Sequence, residues 1–587
     1  MAITPRGMSV TEAYRIFRDD KFIVNRSYQR KLVWTVEEKE RLIDSILQQY
    51  PIPLILLAET PSGQYEIIDG MQRLNAIFSF IENAFPYKDL YFDIDEFARA
   101  KQISEKGLFT VQPDVSKLSA AQCADILDYQ LAVTIFPLSD ESNVTNIFGR
   151  INSGGKQLSP QEQRQAGVVT PFANFVRILS AELRGDPSED IINLADMPLI
   201  SIEGPTFHLG YGISAENTFW CKQGILRAKE LRDSLDEQIV ADLTISILLN
   251  EPFALSRENL DEAYSVSSPL HTDLNNRLSS YPADQLAKEI KTTFSCLRET
   301  IESFDSSPNT FRRIVNPKAG GNPVRTPFYA VFLAFFELII RQQKEPADHK
   351  SIMDSIANIA PKLAPTSHHV RTEDRKKNID LTMGLIQKHF VYTEPPLLSH
   401  GPGLALDFEN SIRRSKIETA RYEFKQGLLR LSDDRAIEHK LFNRLAEISC
   451  SMANIGPHSC GFIFIGVADK KEDAERINEL DSASLLKIND VFVVGVERET
   501  KILGLSIEEY VRMLVDELRK THLSDPLKSD LLSHIDVIEY RGRTVIRLTI
   551  PPQKEMAWVG DKTFVREHSN TIEATAKQIA QISKSFS

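Results

Sequence analysis

The sequence predicts a multidomain protein of α/β and α class, with an α/β domain at the N-terminus, a helical middle domain and a second α/β domain at the C-terminus. Three observations predict it. Residues 40–80 read as helix, strand, turn, strand, helix. Residues 168–400 carry apolar side chains at helical spacing. An apolar run from Phe462 to Val467, followed by alternating segments with turn residues between them, marks strands near the end. At 587 residues the chain exceeds a single hydrophobic core, and a prior of about 150 residues per domain gives three or four domains. The boundaries expected are 1–167, 168–400 and 401–587.

In the first domain Leu42, Ile43, Ile46 and Leu47 line one helical face. Pro53 to Ala58 and Tyr65 to Ile68 flank the turn Pro61-Ser-Gly63, and an apolar helix runs through Phe80. Asp69-Gly70-Met71-Gln72-Arg73 therefore falls between a strand and a helix. Backbone amides at a helix N-terminus favour anions, Gly70 permits a tight turn, and Arg73 offers a phosphate its fork of donors. A nucleotide site is the functional expectation, with a plain strand–helix junction as the structural alternative. Asn152-Ser-Gly-Gly-Lys156 has the amide-rich composition of an anion-binding nest, to which Lys156 adds charge. The full P-loop pattern is missing, so Walker-type ATPase chemistry is not supported.

Tyr28-Gln-Arg30 with Trp34, Ile67 to Arg73, and Ile147 to Lys156 stand in the order found in the ParB-like N-terminal family of GmrSD-type restriction enzymes, which this region resembles. The resemblance implies a ParB/sulfiredoxin-like fold and binding or hydrolysis of a nucleotide, GTP or ATP. It places Gln29, Arg30, Asp69, Gly70, Gln72 and Arg73 at the site, and the nest reading adds Asn152 and Lys156. Met71 stands where the family more usually carries glutamine. GmrSD-type proteins commonly end in an HNH nuclease domain, but His349, His368, His369 and His458 lack that context.

The middle domain is expected to be mainly helical, with apolar helices around Phe172 to Leu179, Ile239 to Leu249 and Phe328 to Ile340. The basic stretch from Phe311-Arg-Arg313 through Lys318 to Arg325 is broken by proline and glycine. It reads as a solvated loop, with contact to nucleic acid or nucleotide as the alternative. Val391 to Gly403 reads as a linker.

In the last domain Tyr422 and Phe424 alternate with Glu423 and Lys425, as on a strand with one buried face, so Glu423 is expected on the open face. Glu418 joins it only if the chain bends between them. Asp469 falls at the end of the apolar run. Carboxylates are hard ligands of Mg²⁺ or Mn²⁺, and a cation so held polarises a phosphodiester. A metal-dependent nuclease with Glu418, Glu423 and Asp469 as ligands and Lys425 orienting phosphate is therefore one reading. Ordinary carboxylates near strand ends are the other. Ile437, Leu441, Leu445, Ile448 and Met452 predict a helix, Ser506 and Glu509 a capping box, and Arg541-Gly542 and Gly560-Asp561 tight turns. Arg541, Arg543, Arg547, Lys562 and Arg566 offer phosphate contacts there, unless they form an ordinary solvated face.

Glu418 to Lys425, Ile448 to Asn454 and Gly461 to Asp469 resemble the AlbA-like domain of the Schlafen family. The resemblance implies a nuclease triad at Glu418, Glu423 and Asp469, structured RNA such as tRNA as substrate, and a homodimer or higher homo-oligomer that recreates a two-lobed clamp. Glu567-His568 and the loop Gly456 to Gly461 depart from the family pattern.

The formal charge of −12 arises from 69 Lys+Arg and 81 Asp+Glu. Residues 405–587 hold 27 and 29 of these, leaving 42 (69 − 27) and 52 (81 − 29) upstream, so net charge does not exclude a nucleic-acid enzyme. Five cysteines without CxxC spacing exclude a disulfide framework or a Cys-rich zinc site. Without a signal peptide or a long apolar run, a cytoplasmic protein with no membrane association is expected. The function these readings imply is anti-phage defence by a metal-dependent endonuclease, RNA favoured over DNA, under nucleotide control. A non-catalytic DNA-binding regulator, or an NTPase whose C-terminal domain only recruits nucleic acid or partners, is the alternative.

Overall fold

Short apolar runs at the N-terminus pair into a mixed six-stranded sheet. In chain order its elements are β1 (Thr4–Ser9), α1 (Val10–Arg18), β2 (Phe22–Asn25), α2 (Val36–Leu47), β3 (Ile55–Glu59), β4 (Tyr65–Asp69), α3 (Met71–Ile81), β5 (Gln130–Pro137) and β6 (Ile191–Asn193). The strand order is β1-β5-β3-β4-β2-β6, with β5/β3 and β4/β2 parallel and the other pairs antiparallel. Ser9 caps α1 by accepting from the Glu12 amide, and Thr35 with Glu38 forms the capping box of α2. Tyr14, Phe17 and Phe78 pack their rings together in the core, with Phe17 and Phe78 stacked 4.5 Å apart.

The computed structural model describes the chain except residues 1–3, 27–28, 30, 138–158, 166–167, 169, 187–190, 204–210, 365–370, 393–402, 416–418, 484, 489, 568 and 587. It divides into two compact units. The first comprises residues 1–287, 297–341 and 346–391, and the second residues 288–296, 342–345 and 392–587. Because β6 comes from beyond residue 167 and completes the sheet, the N-terminal and middle segments are built as one unit.

The rest of the first unit is largely helical. α4 (Pro171–Arg184) begins with Thr170 as cap and proline at its first position, and ends at Gly185 with φ of +78°. α5 (Leu235–Leu249), α6 (Arg325–Phe336) and α7 (Thr372–Ile386) follow. Every residue of α6 from Pro327 to Phe336 is buried, so this helix has no polar face and passes through the core. It continues as a π turn over Glu337–Arg341. The three apolar helices expected in this segment are all present.

The second unit contains α8 (Gly403–Arg414), β7 (Tyr422–Lys425), α9 (His439–Ala453), β8 (Gly461–Ile465), β9 (Val467–Ala468), β10 (Leu486–Ile488), β11 (Val491–Val493), α10 (Ile507–Arg519), β12 (Ile535–Tyr540), β13 (Arg543–Ile550), β14 (Phe564–Glu567) and β15 (Asn570–Glu573). Its main sheet has the order β7-β8-β13-β12. Alternation along β8 buries both faces: Phe464 packs with Phe408 and Tyr540, while Ile463 and Ile465 join Leu445, Ile448 and Leu514 of α9 and α10. The run that reads as one strand is in fact two. Gly466, with φ of +104°, breaks it, and β9 pairs in a separate sheet of order β9-β11-β10.

The turn at Arg541-Gly542 has φ of +47° and +72° and joins Tyr540 to its partner Arg543, as the twist of a two-residue hairpin requires. Ser506 and Glu509 form the expected capping box. No helix among the described residues is long and apolar enough to cross a membrane.

Candidate functional site

Two glutamines bring the N-terminal motifs together. Gln29 Nε2 donates to the carbonyls of Ile67 (3.0 Å) and Ile68 (2.6 Å), fastening its segment to β4. Gln72 Oε1 accepts from the amides of Val33 (3.1 Å) and Trp34 (3.3 Å), and its Nε2 donates to the Lys31 carbonyl (2.9 Å). Both side chains therefore satisfy main-chain groups that the segment would otherwise leave bare. They fasten the motif's segments to one another.

Gly70 precedes α3 with φ of +106°, and an added Cβ would lie 2.9 Å from Ile55 Cγ1. Only glycine fits both the backbone and the space. Met71 is 3 % exposed and belongs to the core, which explains why an apolar residue serves there. Arg73 Nη2 donates to Asp69 Oδ2 at 2.7 Å and to the Leu54 carbonyl at 3.1 Å. Its Nε is buried with no hydrogen-bond partner. It stands at the start of α3, whose N-terminus has no side-chain cap. Arg30, Asn152 and Lys156 lie outside the described residues.

Residues 14–169 match the family model of the GmrSD restriction endonuclease, N-terminal domain. No curated protein and no solved structure matches the chain. The matched region holds β2 to β5 and the clasped motif, so the GmrSD-type region coincides with most of the mixed sheet.

Below the GmrSD-type motif lies a cluster of charges that the sequence does not announce. Lys31, on the segment held by Gln72, is 8 % exposed, and its Nζ has no hydrogen-bond partner. Burial, with Arg184 nearby, pushes its pKa down to about 8 against the pull of Asp236, Glu237 and Asp186. Arg184 pairs with Asp236, and Arg26 with Asp186 at 2.7 Å. Arg232 donates to the Val33 carbonyl at 2.7 Å. Arg26 and Val33 thus tie the motif to Asp186, just after α4, and to Arg232, just before α5. Lys31 directly follows Gln29-Arg30, but nothing in the local pattern signals its burial.

In the second unit Glu423 lies opposite Ile463 in the parallel pair β7/β8 and so shares its covered side. The expected open face is absent: the Glu423 side chain is 16 % exposed. Lys425 Nζ donates to its Oε1 at 2.5 Å, and Arg566 Nη1 to its Oε2 at 3.0 Å. The Arg566 side chain is 1 % exposed and also donates to the carbonyls of Ala420 and Tyr422. Asp469 is exposed at the end of β9, six positions past the Glu423–Ile463 pairing and beyond the break at Gly466. Glu418 lies outside the described residues. Among the described residues no group of three His, Cys, Asp or Glu side chains is placed to hold a metal ion.

The expected basic face is also altered. Arg547 pairs with Asp536 at 2.8 Å, Lys562 with Glu573 at 2.7 Å, and Arg541 lies 3.6 Å from Glu409. Arg543 donates to the Val494 carbonyl. With Arg566 on Glu423, all five cations have acidic or carbonyl partners. Arg541 and Lys562, 51 % and 60 % exposed, are the ones best placed to exchange them for phosphate.

Sequence reasoning also missed the anchor of the loop after β7. Glu499, fully buried, accepts from the Leu428 amide (2.7 Å), the Leu429 amide (3.2 Å) and Tyr510 Oη (2.5 Å). Burial and this carboxylate drive the Tyr510 pKa well above its ordinary value.

Proposed function

We propose that the chain is an anti-phage defence nuclease in which the GmrSD-type N-terminal region binds GTP or ATP and controls cleavage of nucleic acid by the C-terminal unit. The observation that carries this reading is the match over residues 14–169, supported by the clasped motif with its unpartnered Arg73 Nε. Asp69, Gly70 and Arg73 would face the phosphates, with Arg30, Asn152 and Lys156 as further candidates. Gln29 and Gln72 would hold the site in register. The domain limits 1–167, 168–400 and 401–587 and assembly as a homodimer or higher homo-oligomer belong to the same proposal.

The description of the matched family favours DNA as substrate, whereas the Schlafen-like resemblance favours RNA, tRNA above all. We place DNA first because its support is a match and not a resemblance. Cleavage is assigned to Glu418, Glu423 and Asp469, which would hold Mg²⁺ or Mn²⁺; bound there, the metal would polarise the phosphodiester. The described residues fit this incompletely, because both Glu423 oxygens already have cationic partners. Lys425, 26 % exposed, is the partner that can swing away toward a phosphate.

The sealing of Glu423 favours a second reading, in which the C-terminal unit binds nucleic acid or partners without cutting and any chemistry is nucleotide hydrolysis. Labelled double-stranded DNA, single-stranded DNA and tRNA, incubated with the protein in Mn²⁺ and then in EDTA, separate the two. Cutting that EDTA abolishes while binding persists supports the nuclease and names its substrate. Binding without cutting under every nucleotide condition establishes the second reading.

A further inference from the structure

We infer that the helical part of the first unit carries a second ligand site, for a nucleoside monophosphate, built by α5, the start of α6 and α7 and independent of the Asp69–Arg73 motif. A cavity of about 780 Å³ opens between these elements, within the size range of small-molecule sites.

Its floor is a buried ion pair. Arg375 Nη1 and Nη2 donate to Asp242 Oδ1 and Oδ2 at 2.6 and 2.8 Å, and Arg375 lies 3.8 Å over the Tyr329 ring and donates to the Phe253 carbonyl at 2.9 Å. Arg375 and Asp242 are 6 % and 5 % exposed. Both Asp242 oxygens are occupied, so the pair forms a satisfied, flat wall and does not call for a counter-ion. Asn378, 3 % exposed, fixes the adjacent wall by accepting from the Ala364 amide at 2.7 Å.

Three features of the lining then select the ligand. Gln238 and Asn316 line the cavity with side-chain amides. Each amide offers a donor and an acceptor, the combination that a nucleobase edge presents. Pro323, Pro327 and Pro361 supply flat apolar surface on which a planar ring can lie. At the mouth stands Arg325, first residue of α6, with 45 % of its side chain exposed and Glu230 as its present partner. The helix begins without a side-chain cap at Val324, so its positive dipole end adds to the Arg325 charge. A planar heterocycle with a mixed edge, carrying one phosphate, satisfies all three. The basic stretch from Phe311 to Arg325, expected as a solvated loop, in fact begins on a helix over Thr310–Val315 with Phe311 buried, and it ends at this cavity.

The test is calorimetric titration of the full chain with AMP, GMP, CMP and UMP, and with the corresponding nucleosides as probes lacking phosphate. At least one monophosphate is expected to bind the wild type. Asn316→Leu, which keeps the branched shape, and Gln238→Met, which keeps the length, should each weaken it about 10-fold or more, the loss of about one well-made hydrogen bond to a ligand. Arg325→Ala, at an exposed position, should weaken the monophosphate about 10-fold and leave nucleoside affinity unchanged. Arg73→Ala should leave this binding intact even if it abolishes triphosphate binding at the N-terminal motif. The inference is overturned if no probe binds the wild type, or if Arg73→Ala removes the binding and the three cavity variants do not. Melting curves of each variant confirm that a loss is not unfolding.

Discussion

The two motif-bearing regions leave their charged groups in opposite states. At the start of α3, Gln29 and Gln72 satisfy the main chain while Arg73 Nε stays buried without a partner. On β7, Glu423 has one cation on each oxygen. A buried donor left unsatisfied costs about 1–3 kcal/mol, and such a cost persists where a ligand can recover it. A doubly paired carboxylate is stable as it stands and must surrender a partner before it can bind anything. On the proposed function, a nucleotide would recover that cost in the first region, whereas the second must first give up a partner.

The largest test of this contrast is Arg566→Ala. It strips Glu423 of a partner and bares the carbonyls of Ala420 and Tyr422, and is expected to destabilise the protein by about 4 kcal/mol, the range for breaking a buried pair. Urea unfolding measures it, and a loss below about 1 kcal/mol would show that the seal contributes no more than a surface pair.

Lys31 is another side chain of the first unit whose buried nitrogen has no hydrogen-bond partner, and its effect is read through pH. Its folded pKa of about 8 lies below the ordinary lysine value of 10.5. Between those values the unfolded chain binds more protons, so stability rises as pH increases from about 8 to 10.5. Below that window the charge is held at a cost of up to about 3 kcal/mol. Lys39, also buried and lowered to about 8, contributes a parallel rise. Lys31→Met should be more stable than wild type at pH 7 and should retain only the Lys39 share of the slope. Unchanged slopes in the two proteins would place the Lys31 ammonium in contact with solvent.

Gly70→Ala comes next. The left-handed backbone and the 2.9 Å approach to Ile55 should together cost about 2 kcal/mol, and tilting the first turn of α3 should also weaken nucleotide binding. Retained binding at wild-type affinity would detach the helix N-terminus from the site. The smallest effect on stability is expected from Arg73→Ala, within about 1 kcal/mol without ligand. Its signature is functional: GTP or ATP at 100 times Kd should stabilise the wild type by about 2.7 kcal/mol and leave the variant unmoved in a thermal-shift titration.

The parts of the molecule legible in the sequence are those set by local pattern. The strand–turn–strand–helix of residues 53–81, the apolar helices α4 to α6, the Ser506 capping box and the Arg541-Gly542 turn all follow from periodicity and turn chemistry. What was not legible depends on distant partners. Arg566 reaches Glu423 across 143 positions, and Glu499 reaches Leu428 across 71. The three-residue strand β6 joins the sheet from beyond the expected boundary, too short to carry a pattern. Gly466 sits inside an apolar run, and only its positive φ reveals that the run serves two sheets. Lys31 follows Gln29-Arg30 as one more basic residue, and its burial comes from α4 and α5.

On the proposed function, a nucleotide held at Asp69–Arg73 controls cleavage at the strand bearing Glu423. The most direct measurement is the cleavage rate of labelled double-stranded DNA, and in parallel tRNA, in Mn²⁺ with and without GTP and ATP, for wild type, Arg73→Ala and Glu423→Gln. The glutamine keeps an acceptor for Arg566, and a melting curve of the variant separates a loss of activity from a loss of fold. The expected result is cleavage by the wild type that changes with nucleotide, cleavage by Arg73→Ala that does not respond to it, and none by Glu423→Gln. Equal, nucleotide-independent cleavage by all three proteins would contradict both the site and its control.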